Sequence, residues 1–204
     1  MNEPNAGAAP KDARRFTFVF AGSAGAFVAA LILGALLQAQ PLSQIGFSQE
    51  AIFAGAVATL PPLLFNYWFS KTANRFFARL RRAQLDLFSG LGFTLTPSRI
   101  LLLAIGAGVG EEFLFRGVLQ TWIDGFAPVW AAIIAPNILF AILHAHNAFY
   151  AVAAGFIGVY FGVVFYLTGD LTAPVLTHML YDLAALEMTR RAMLTYRSQN
   201  KCGE

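Results

Sequence analysis

Cysteine is nearly absent: the chain has one, Cys202. A single thiol closes no internal disulfide, which excludes a cross-linked framework. It stands third from the end, in KCGE, whereas a prenylation box needs cysteine fourth from the end. Charge is scarce too, at 12% of residues against roughly 25% in an average soluble domain. With 57% of its 204 residues hydrophobic and a mean hydropathy of +0.60, the chain has more apolar surface than one soluble core can hide. A net charge of +3 brings nucleic acid to mind, but the basic residues form no stripe; they fall between hydrophobic runs. What remains is a one-domain integral membrane protein.

Six hydrophobic runs approach the roughly 20 residues that a crossing helix needs: 16–38, 51–70, 100–122, 126–147, 148–168 and 171–188. The expected fold class is an all-α integral membrane protein, a bundle of about six transmembrane helices with a cytoplasmic amphipathic connector. A cytoplasmic tail over 1–15 precedes a membrane domain over 16–188, whose catalytic core is expected at about 92–188, and a second cytoplasmic tail covers 189–204. The first run is longer than a signal-peptide core and lacks a good cleavage site, so it is read as a retained helix. Pro61 and Pro62 should kink the second run. Gly106, Gly108 and Gly110 let other backbones approach the third. Lysines and arginines outside the runs all fall on one side, which places both termini in the cytoplasm. A bacterial inner membrane is the expected location. Residues 72–90, TANRFFARLRRAQLDLFSG, read as a basic amphipathic helix at the membrane surface, or more plainly as a solvated connector.

The third run contains GEEFLFRG, and the sixth THMLYD. Ionisable groups at helix centres cost about 2.5–3.5 kcal/mol each, so Glu111, Glu112, Arg116 and Asp182 need pairing, protonation, a wet cavity or an ion. Glu112 and Arg116 are one helical turn apart in the favourable order, and a structural ion pair accounts for both. Glu111 points about 100° away and has no basic residue three or four positions off within the run. It is the carboxylate free to act as a base. His144 ends FAILH in the fourth run, and His178 stands one turn before Asp182 in the sixth. A lone buried histidine is usually a satisfied core residue. Two histidines and a spare glutamate from three neighbouring runs point to a shared site. Phe140, one turn before His144, would lie beneath its ring, as ordinary helix packing also requires. His146 belongs at the rim, and Tyr150 and Tyr181 read as packing aromatics. By rise per residue, however, Glu111 lies about 17 Å inside its run and His144 only about 5 Å inside its own.

Glu-Glu-x-x-x-Arg, Phe-x-x-x-His and His-x-x-x-Asn/Asp on successive hydrophobic runs resemble the signature of the CPBP family, the CAAX prenyl protease and bacteriocin-processing intramembrane endopeptidases. The matching segments are EEFLFR (Glu111, Glu112, Arg116), FAILH (Phe140, His144) and HMLYD (His178, Asp182). The resemblance implies that Glu111 and His144 activate a water while His178 and Asp182 stabilise the oxyanion, with Glu112, Arg116 and Phe140 in support. It implies a membrane-associated protein or peptide as substrate, of which a prenylated CAAX-type protein is one option. An ionised Asp182 cannot donate a hydrogen bond as asparagine would, so it acts protonated or by orienting His178. No cofactor is required on this reading. Zinc is chemically adequate, and its ligands would be Glu111, His144 and His178. Nucleic acid is not an expected partner. The rivals are a noncatalytic membrane immunity or scaffold protein, which has no use for Glu111, and a small proton-coupled transporter, which usually shows an internal repeat that this chain lacks.

Overall fold

The computed structural model describes residues 8–201, and every regular element among them is helical. Helix α1 spans Ala8–Leu36, and a 3-10 turn follows at Pro41–Gln44. The Ser48 side chain accepts from Ala51 N at 3.1 Å and caps α2, Gln49–Ala58. Pro61 and Pro62 sit in the first turn of α3, Leu60–Lys71, and the break falls at Thr59, where the expected kink lies. Asn74 caps α4, Arg75–Gly90, through Phe76 N at 2.8 Å. Thr96, followed by Pro97 at the first helical position, starts α5, Pro97–Glu112.

Beyond Glu112 the same rod loosens to π pitch over Phe113–Gln120 before resuming as α6, Thr121–Asp124. Thr121 Oγ1 donates to the Arg116 carbonyl, five residues back, at 3.0 Å. Local π geometry is a frequent companion of functional side chains, because it re-aims them without ending the helix. Helix α7 spans Val129–Leu143, α8 Ala148–Thr168, and α9 Thr172–Lys201. Asn147 caps α8 through Tyr150 N at 2.8 Å, and Gly169, at φ 62°, ends it in the left-handed region that glycine adopts freely.

Helix α5 is the central rod, with α1 on one side and α9 on the other, while α7 pairs with α8 and α2 with α9. The three glycines of the third run serve those approaches. A Cβ at Gly110 would strike the Ser23 carbonyl of α1, and one at Gly106 would come within 3.0 Å of Phe20. One at Gly108 would meet Met179 of α9.

Among the described residues, three helical stretches are long and apolar enough to cross a membrane: Pro10–Leu36, Gln49–Lys71 and Ala148–Thr168. Large apolar side chains stay uncovered on their outer faces, with Phe18 79% and Phe156 74% exposed, as lipid contact requires. The chain is an all-helical integral membrane protein. The other three expected runs take different forms. The third lies within the rod containing the π segment, the fourth is the 15-residue α7, and the sixth opens a helix that continues to Lys201. At 15 residues α7 rises only about 22 Å, less than the hydrocarbon core, so its end at His144 can sit at the depth of Glu111.

The connector at 72–90 folds as α4 with Arg75, Arg79 and Arg82 exposed. Phe77 packs edge-on against Trp68 and Phe69, and Arg81 donates to the Phe69 carbonyl at 2.6 Å.

Candidate active site

A cavity of about 320 Å³ opens among α1, α4, α5, α7, α8 and α9. Glu111, Phe140, His144, His178 and Asp182 all line it. Glu111 Oε2 lies 4.0 Å from His144 Nε2. That is too long for a direct hydrogen bond and suits one bridging water. His144 follows the last residue of α7 and folds back on it. Its Nδ1–H donates to the Phe140 carbonyl at 2.8 Å, and its ring stacks on Phe140 at 4.2 Å between centroids. With the proton held at Nδ1, the Nε2 lone pair faces Glu111.

Behind this pair stands a buried polar cluster. Arg116 Nη1 donates to Glu112 Oε1 at 3.0 Å, and Nη2 donates to Asn137 Oδ1 at 2.9 Å and to the Gly158 carbonyl. The guanidinium also lies over the rings of Phe115, Phe140 and Phe161 at 5.5–5.9 Å. Both Glu112 and Arg116 are fully buried, so the expected ion pair forms where breaking it is most damaging. Glu112 has a second partner: His178 Nδ1–H donates to the same Oε1 at 2.8 Å. The ring of His178 stacks on Phe161 at 4.7 Å, and its Nε2 lies 3.5 Å from Asp182 Oδ2. Asp182 therefore approaches the imidazole from one turn onward, the orienting geometry rather than a hydrogen bond of full strength.

Asn137 and Gln120 escaped the sequence reading because attention went to charged groups. Asn137 bridges Arg116 and the Ile133 carbonyl, and Gln120 Nε2 donates to the Gly162 carbonyl at 3.0 Å. Both sit in otherwise apolar helical stretches, and asking the same question of uncharged polar residues would have flagged them. Tyr150 and Tyr181 also line the cavity, and exposed His146 stands at its edge, as a rim residue should.

Among the described residues, no three histidine, cysteine or acidic side chains are arranged to hold a metal ion. The donor set explains why. Glu111 and His144 Nε2 face each other, but the nitrogens of His178 are directed at Glu112 and Asp182. The residues as arranged do not fit a three-ligand zinc site.

Fold and cavity define a membrane-embedded helical protein with an acid–imidazole centre behind a buried ion pair. Residues 93–184 match the family model of the Rce1-like type II CAAX prenyl endopeptidases, a segment holding all three motifs and a little under half of the chain. Over that segment the chain is similar to the CAAX protease (CPBP) family, whose matching model describes prenyl endopeptidases. Comparisons with curated proteins and with solved structures gave no match.

Proposed function

We propose that the protein is an intramembrane endopeptidase in which Glu111 and His144 activate water against a peptide bond. The carrying observation is the 4.0 Å gap between Glu111 Oε2 and His144 Nε2 in a cavity that His178 also lines. A water bridging the pair loses a proton to Glu111, and its oxygen adds to the scissile carbonyl carbon. Charge grows on the carbonyl oxygen, and the Nε2–H of His178, only loosely engaged by Asp182, donates to it. The C–N bond then breaks, and the proton held by Glu111 passes to the departing amine. Glu112 fixes His178 from behind through Nδ1, and Arg116 keeps Glu112 in place. No step requires a metal.

The substrate is a membrane-associated protein or peptide, and the family match makes a prenylated CAAX-type protein its leading class. The chain crosses the membrane six times with both termini cytoplasmic, in a bacterial inner membrane, and α4 lies on the cytoplasmic face. The one-sided distribution of lysine and arginine supports this orientation. A probe cysteine at Arg82, in a Cys202→Ser background, should label from the cytoplasmic side, and one at Gly125 from the other. Labelling of both from one side overturns the orientation.

The function is tested with His144→Ala and His178→Ala in purified, detergent-solubilised protein. Each should abolish cleavage of a membrane-tethered peptide while the protein still accumulates. Cleavage at the parental rate in both variants excludes the mechanism. Solute uptake that requires Glu111, without proteolysis, would assign the site to a transporter instead.

A further inference from the structure

We infer that the hydroxyl of Tyr150 is a second donor to the scissile carbonyl oxygen, doing for this chain what a carboxylate at position 182 cannot. The inference rests on the protease reading above and adds to it a residue outside the three motifs.

A tetrahedral intermediate is held best by two converging donors. His178 supplies one. Its helical neighbour Asp182 offers a carboxylate, which accepts hydrogen bonds and does not donate them when ionised. A second donor must come from elsewhere in the cavity lining. The remaining polar groups there are few: Ser23, Gln84, His146, Thr189, Tyr150 and Tyr181. Thr189 gives its hydroxyl to the Ala185 carbonyl, and His146 is exposed at the rim.

Tyr150 satisfies three independent demands. Its hydroxyl has no hydrogen-bond partner among the described residues and is not one of the sealed, unpartnered polar atoms, and the residue lines the cavity. Its backbone is anchored, since Tyr150 N donates to the cap residue Asn147 at 2.8 Å. Its ring is tilted between the imidazoles of His144, at 6.3 Å, and His146, at 5.8 Å. That contact puts the phenol beside the water-activating pair, and Tyr150 is also within electrostatic reach of Glu111, Asp182 and Tyr181. A donor on a two-torsion aromatic stem, fixed at both backbone and ring, is pre-organised for one position.

The test uses the full chain in nanodiscs with a membrane-tethered peptide. It compares the parent with Tyr150→Phe and Glu111→Gln, with lipid-facing Tyr166→Phe as a control. Because the Tyr150 hydroxyl has no hydrogen-bond partner among the described residues, Tyr150→Phe should accumulate and melt like the parent. Its kcat should fall about 100-fold, with KM within twofold. Affinity for a phosphonamidate analogue of the tetrahedral intermediate should fall by a similar factor, while affinity for the uncleaved peptide holds. If Glu111→Gln abolishes cleavage but Tyr150→Phe keeps parental kcat and analogue affinity, this inference alone is overturned. If Glu111→Gln cleaves normally, the protease reading itself falls. A Tyr150→Phe protein that loses peptide and analogue binding equally would make the hydroxyl a substrate-binding group and overturn the oxyanion role.

Discussion

Replacing Arg116 by methionine keeps the length of the side chain and deletes the guanidinium that holds the buried cluster together. In the parent that group satisfies Glu112 Oε1, Asn137 Oδ1 and the Gly158 carbonyl, with no exposure of Arg116 or Glu112. Removing one partner of a buried ion pair costs about 3–5 kcal/mol, since it leaves the other charge desolvated. The two orphaned neutral acceptors would each cost about 1–3 kcal/mol if nothing relaxed, but neighbouring losses do not add in full. A net loss of about 4 kcal/mol is expected, close to a thousandfold in the folding equilibrium. For a chain of this size that lowers Tm by about 10 °C. Thermal unfolding in detergent micelles measures it. Adding Glu112→Gln removes the carboxylate charge then left to His178 alone among its described partners, so the double variant should melt higher than Arg116→Met alone. A Tm within 2 °C of the parent, or losses that merely sum in the double variant, would refute the view that the pair compensates itself inside the bundle.

A Cβ at Gly158 would collide with Asn137 Oδ1 and come within 3.2 Å of Arg116 Nη2. Gly158→Ala should therefore cost about 1–3 kcal/mol in the same unfolding assay. Asp170, in the link before α9, predicts an acid limb of stability. Burial raises its carboxyl, but hydrogen bonds from Gly46 N, Thr172 and Ser48 outweigh it and hold the group below its ordinary 3.8. A lowered folded value means that its stabilisation is present above pH 3.8 and lost as pH falls through the folded value. Asp170→Asn should flatten Tm against pH in that window and leave the neutral region nearly parallel to the parent.

Much of the site was legible in the sequence, because lipid makes a misplaced charge conspicuous. Glu111, Glu112, Arg116 and Asp182 stood out against apolar surroundings, and helical periodicity separated Glu111 from the pair beside it. One break was readable as well, since the proline pair beside Thr59 acts through the local backbone. The π segment was not legible, since no residue in FLFRGVLQ forbids α pitch and the loosening belongs to the packed bundle. The sharing of Glu112 between Arg116 and His178 joins residues far apart in the chain, and i,i+4 arithmetic reveals only half of it. The approach of His144 to within 4.0 Å of Glu111 belongs to the packing of α7 on α5, and Tyr150 became distinctive only as a cavity-lining residue whose hydroxyl has no partner among the described residues.

The most direct measurement follows a single residue that asks only for a base. Purified Glu111→Gln protein, given a membrane-tethered peptide, should bind it with parental affinity and fail to cut it, with turnover down at least about a thousandfold. Turnover close to that of the parent would show that water is activated elsewhere, and the pairing of the acid at 111 with the imidazole at 144 would lose its meaning.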